Sequence, residues 1–129
     1  MVGLEKKNFD TPDETRPFVD KGKAAIVNIG GGTVGCGTYE PGWRWSLHVK
    51  PIVGTESCQS HHVGYILKGR MKIVMNDGTS TELNPGDVFD IQPGHDAGVI
   101  GEEACTLLDF AGMTHYAKPA LAAAASTAR

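Results

Sequence analysis

The sequence has no apolar run approaching the ~20 residues that a membrane-spanning helix needs. Its opening, Met-Val-Gly-Leu-Glu-Lys-Lys, lacks the apolar centre of a secretory leader, so a cytoplasmic protein is expected. An excess of positive charge is also missing. Twelve Lys and Arg against 15 Asp and Glu give a net charge of −3 with neutral His. A nucleic-acid partner would call for a basic face, so none is expected. Cysteine is scarce: Cys36, Cys58 and Cys105 are an odd number at wide spacing, with no Cys-x-x-Cys. That excludes a disulfide framework and a zinc ribbon, and reduced thiols are the simplest reading. Helical periodicity and internal repeats are lacking too. The 129 residues suffice for one domain with its own core and are too few for two.

What the chain does have is turns. Seventeen Gly and seven Pro break it into short β-prone runs. Residues 1–20, with Pro12 and Pro17 among acidic and hydroxyl residues, read as an arm lying on the domain or on a partner subunit. Strands are expected over 24–29, 33–39, 43–49, 62–67, 71–75, 79–83, 88–91, 99–100 and 105–110. Gly30-Gly31-Gly32, Glu40-Pro41-Gly42, Asn76-Asp77-Gly78, Asn84-Pro85-Gly86 and Gln92-Pro93-Gly94 separate several of them. So many short strands without helical period predict an antiparallel sandwich or barrel over residues 21–116. Residues 117–129 form an Ala-rich tail. Gly30 to Gly35 formally spells a dinucleotide fingerprint, but Cys-Gly-Thr-Tyr-Glu-Pro-Gly follows where a helix must start, so the glycines are a turn.

Five histidines stand out: His48, His61, His62, His95 and His115. One alone is usually a hydrogen-bonded structural residue, whereas several converging in a barrel make a metal site, since neutral imidazole is the commonest protein ligand of transition metals. Strand alternation points His61 and His62 to opposite sides, so they are not a chelating pair. His62 shares its side with Gly64 and Ile66. In an extended 43–50, His48 would share a face with Arg44, Ser46 and Lys50. Cys58 and His62 on one straight strand would be ~13 Å apart, so Cys58 joins a site only if the chain bends, which the stretch from Ile52 to Ser57 allows. His95 follows the Pro93-Gly94 turn at a barrel mouth, and Asp96 beside it is suited to orienting an imidazole.

These pieces resemble the cupin superfamily. Its first motif runs glycine, five residues, histidine, one residue, histidine, then a glutamate and, six residues later, a glycine. Here Gly42 is followed after five residues by His48, Lys50 takes the second histidine position, and His62 stands where the glutamate would be, ahead of Gly69. In the second motif Gly86 and Gly94 match, Gln92 replaces a proline, and Ala97 occupies the histidine position. A shifted register instead sets Glu56, Cys58 and His62 in the three ligand positions but loses the opening glycine. The register through His48 keeps the Glu40-Pro41-Gly42 turn ahead of it.

The resemblance implies an all-β jelly-roll barrel, a double-stranded β-helix, from Tyr39 to about Phe110. It implies His48, His62 and His95 as three imidazole ligands with an open position, and Cys58 or Glu56 as a fourth ligand from the loop. The metal would be a divalent transition metal: zinc, iron, nickel, manganese or copper. Lys50, Trp45, Tyr65 and Phe89 are the expected pocket residues for an organic small molecule. The alternative is a metal-free cupin that binds or senses a ligand without turnover. Small cupins also pair, so a homodimer is expected.

Overall fold

A computed structural model describes residues 3–114 and 116–118. His115 and the Ala-rich tail from residue 119 onward lie outside the described residues. The strands are β1 (Glu14–Pro17), β2 (Gly22–Ile29), β3 (Gly32–Tyr39), β4 (His62–Lys68), β5 (Arg70–Met75), β6 (Ser80–Leu83), β7 (Val88–Ile91), β8 (His95–Ile100) and β9 (Cys105–Asp109). Two short helices, α1 (Trp45–His48) and α2 (Lys50–Val53), lie between β3 and β4. The strands form an antiparallel jelly-roll: one sheet in the order β1-β2-β3-β9-β4-β7 and a smaller one in the order β6-β5-β8.

Each hairpin follows from its turn chemistry. Gly30 and Gly31 both adopt positive φ (59° and 78°), as a tight turn between β2 and β3 requires. The inward residues of the sheets then alternate along every strand. Ala24 and Ile26 of β2, Ile66 of β4, Met71 and Ile73 of β5, and Phe89 and Ile91 of β7 are buried in one core with Trp43 and Trp45. Apolar burial on this scale, about 25 cal/mol per Å2, is the main stabilising term.

Two regions carry structure that the turn and alternation pattern does not predict. Residues 14–17 of the arm add β1 to β2 of their own chain, with Arg16 opposite Ala24. Alternation explains it: Arg16 and Phe18 turn inward and are buried, while Thr15 and Pro17 are exposed. The expected strand 43–49 is instead α1. Its residue before the first turn, Arg44, offers no side-chain cap. The unsatisfied Ser46 N–H is met by Asp96 Oδ1 at 3.0 Å, from β8. A carboxylate 50 residues away thus stabilises the helix start, a long-range cap that local sequence does not reveal. Pro51 in the first turn of α2 and Gly54 at φ 80° after it complete the helical corner.

Candidate metal centre

At the inner surface of the large sheet, Cys58, His62 and His95 come together. Their donor atoms all lie within 4.8 Å of one another, and all three residues are buried. Three elements position them. β4 starts at His62 and turns it inward with Gly64 and Ile66. β8 starts at His95 immediately after the Gly94 turn, at φ 95°. The loop after Gly54 then folds back, and Cys58 bridges to His95: Cys58 N–H donates to His95 O at 2.8 Å, and Gly94 N–H donates to Cys58 O at 2.7 Å. The bend closes a span that a straight strand would hold open, and Cys58 Sγ lies 3.6 Å from His62 Nε2. An S···N separation of about 3.5 Å is what two tetrahedral ligands with bonds of about 2.3 and 2.0 Å would show.

The remaining ring nitrogens are committed elsewhere. His62 Nδ1 meets Asp109 Oδ2 in a short hydrogen bond. Asp109 is itself 1% exposed, and its Oδ1 accepts N–H bonds from Ala111 (3.0 Å) and Gly112 (2.8 Å). His95 Nδ1 donates to Gln92 O at 2.8 Å. Donation from both Nδ1 atoms turns the Nε2 of each ring toward the cluster, where a bound cation would take the place of a proton, the arrangement usual behind metal-binding histidines. Gly112 passes so close that a Cβ there would strike His62 Nδ1 and His61 O.

Electrostatics favour a thiolate. Burial alone would raise the Cys58 thiol. Hydrogen bonds and charge from His62 and His95 outweigh it and bring the pKa down to about 6. Burial likewise opposes a charged His62, but Asp109 and then Cys58 push it up to about 9. Burial holds the neighbouring Tyr39 and Tyr116 phenols protonated, well above the ordinary tyrosine range. The Tyr116 ring stands 5.2 Å from that of His62, nearly perpendicular.

The other expected site residues lie elsewhere. His48 ends α1, and its Nδ1 accepts from Arg44 N–H at 3.0 Å. The helical turn removes the strand alternation that placed it with the other ligands. Glu56 is almost fully exposed and pairs with Lys50 at 3.5 Å, so neither reaches the cluster. Asp96 caps α1 instead of orienting an imidazole. Tyr65, paired with Val88 and Leu108, follows His61 onto the outer face of β4, opposite His62. Trp45 and Phe89 do line the cavity beside the cluster.

That cavity is about 30 Å3. A buried water needs about 10–15 Å3 on this measure, so the space suits an ion with one small ligand and is too small for an organic substrate. A second, open pocket of about 470 Å3 lies beside it, within the usual range for small-molecule sites. Trp45, Cys58 and Tyr116 line both and form the partition between them. The segment carrying Tyr116 is held from β1: buried Arg16 Nη1 donates to Met113 O (2.5 Å) and Tyr116 O (2.7 Å), and Glu14 braces the guanidinium from the other side.

Asp109 and Tyr116 have no counterpart in the motif. Asp109 had a signal all the same: it shares the apolar face of its strand with Cys105 and Leu107, and a carboxylate on a buried face demands a partner.

No family model and no curated protein matches the sequence. Solved structures do match it. A sugar phosphate isomerase of the cupin superfamily from Silicibacter pomeroyi is 19% identical, over 85% of this chain and 76% of that one, at a TM-score of 0.58. The polyketide cyclase RemF from Streptomyces resistomycificus is 17% identical, over 84% and 79%, at 0.60. An oxalate decarboxylase from Bacillus subtilis is 20% identical over 88% of this chain, at 0.60, but the match spans only 31% of that longer protein. These likenesses are of fold. No described helix is long and apolar enough to cross a membrane.

Proposed function

We propose that this chain, a jelly-roll barrel of the cupin fold, holds one divalent transition metal on Cys58, His62 and His95 and acts on an organic small molecule at the barrel mouth. One observation carries the reading: three buried donors meet at ligand spacing, and Asp109 and Gln92 O accept hydrogen bonds from the Nδ1 atoms of the two histidines. Burying a dication needs compensating negative charge, and a Cys58 thiolate with the Asp109 carboxylate supplies two. A mixed thiolate and imidazole set suits zinc, iron, nickel or copper better than manganese, which prefers carboxylate oxygen. A reduced thiol ligand also suits a cytoplasmic protein.

Bound there with three protein ligands, the metal would polarise a substrate oxygen or activate water at its open position. This chain's residues supply the rest. His62 and His95 hold their Nε2 atoms in fixed positions through Asp109 and Gln92 O. The larger pocket seats the organic body of the substrate, with Trp45 and Tyr116 against it. The Tyr116 ring packs edge-on against His62, and burial keeps its hydroxyl protonated. The 30 Å3 cavity admits only the reacting end and excludes bulk water. The mixed enzymatic activities of the fold neighbours, an isomerase, a cyclase and a decarboxylase, are in keeping with a barrel whose chemistry is set by the site.

Cobalt tests the ligand set directly. Titration with Co2+ should give one equivalent of tetrahedral visible absorption together with a thiolate-to-cobalt charge-transfer band. In Cys58→Ser the charge-transfer band should vanish. A wild-type protein that takes up Co2+ without that band, or takes up none, would contradict the assignment.

A further inference from the structure

One polar group in the packed interior has no use in the site as described. Among the described residues, Trp43 Nε1 is buried without a hydrogen-bond partner, and the residue as a whole is 2% exposed. A buried N–H left unpaired has lost its bonds to water with nothing in return, so native proteins leave very few. Looseness does not account for this one. The turn at Glu40-Pro41-Gly42 delivers Trp43 with its backbone held at both ends: its N–H donates to Glu40 O at 3.0 Å, and its O accepts from Val99 N–H at 2.9 Å. Phe18 and Tyr39 pack against the indole, with ring centroids 5.7 and 4.5 Å away. The ring is fixed, and so is its N–H.

Trp43 lines the 30 Å3 cavity, and so do Cys58, His62 and His95. Asp109 lines it too, but its oxygens already accept from His62, Ala111 and Gly112. The acceptor for the indole therefore has to come from outside the chain. We propose that Trp43 Nε1–H donates to the ligand atom at the open position of the metal, and so selects a substrate whose reacting end is a carboxylate or similar oxygen over one that ends in an amine. This deepens the metal reading above and rests on it. Lone pairs set the preference. An amine nitrogen gives its single lone pair to a cation and keeps none to accept a hydrogen bond. A carboxylate oxygen keeps another, and its charge makes the bond roughly twice as strong as a neutral one. Size agrees. At about 10–15 Å3 for each water-sized body, the cavity has room for an ion and one ligand end beside it. The rival use of the N–H is the face of the Tyr39 ring, which stands at 65° to the indole.

Formate, the smallest carboxylate, is the probe, read in two ways on the metal-loaded full chain. With Zn2+ bound, the Trp43 indole 1H–15N resonance, assigned through its contact with Phe18, should move downfield and saturate as formate is added. With Co2+ bound, formate should alter the visible spectrum. Trp43→Phe keeps an aromatic ring in the core, and it should bind Co2+ as wild type does but formate at least tenfold more weakly. Ammonia should bind both proteins alike. The wild-type resonance decides the matter even where the variant fails to fold. A Trp43 resonance that ignores formate, or a variant that binds formate as well as wild type, would overturn the inference while the thiolate-to-cobalt band leaves the ligand set standing. Absence of that band from the wild type would overturn both.

Discussion

Asp109 shows how one side chain can decide what a cluster does. Its carboxylate is buried, accepts a hydrogen bond from His62 Nδ1 through Oδ2, and accepts two backbone N–H bonds through Oδ1. The backbone bonds hold the carboxylate, the carboxylate holds the imidazole, and the imidazole aims Nε2 at Cys58. Asp109→Asn keeps the shape but can present its amide NH2 to His62, which turns the ring lone pair inward and leaves Nε2 protonated. Metal affinity should fall about 10- to 100-fold, the usual cost of losing such a partner. A chelator competition titration would measure it, and unchanged affinity would remove Asp109 from the site. His62 and His95 stand out in the sequence because each sits at a strand start on the inward side. Cys58 takes a ligand position only in the shifted register, and its approach depends on the reversal between Gly54 and His62. His48 misleads because its motif spacing fits while its backbone is helical.

Among the elements, residues 110–114 and 116–118 have few local reasons to stay in place. These described residues follow β9, contain no regular structure, and still form one wall of the larger pocket. Its anchors are distant: Met113 packs over Gly35, where a Cβ would collide with it, and Arg16 caps two of its carbonyls. Arg16→Met keeps the aliphatic bulk but strands both acceptors and leaves Glu14 unpaired. A loss of about 1–3 kcal/mol is expected in urea unfolding. Release of the wall should also expose Cys58, so its modification by a thiol reagent should quicken more than global unfolding accounts for. Equal rates in both proteins would show that Arg16 does not hold the partition. Strands β2 to β7 and β9 were legible from alternation and turn residues, down to the glycine hairpin at positions 30–32, whereas β1 within the arm was not and only the last two residues of β8 were. The helical corner was not, because the Asp96 carboxylate that satisfies its first turn lies across the barrel.

At the scale of the whole molecule, the barrel is an apolar container with one polar corner. Two sheets bury Trp43, Trp45 and the inward strand residues, and against that core stand a thiol, two imidazoles and a carboxylate. Polar groups buried together cost stability unless they are paired or bound to something. Three of the four converge on one point, which a cation between them would satisfy. The glycine and turn framework made the fold readable even with most of the motif's ligand positions substituted. The site was only partly readable: the shifted motif register puts Cys58 and His62 in ligand positions while the register through His48 does not meet the cluster, and the supporting Asp109 lies at a strand end outside the motif. The most direct measurement is the metal content of untagged protein, wild type beside His62→Ala, by elemental analysis. The account predicts close to one zinc, iron, nickel or copper per wild-type chain and its loss in the variant. No metal in the wild type, even after loading with each of the four, would contradict it.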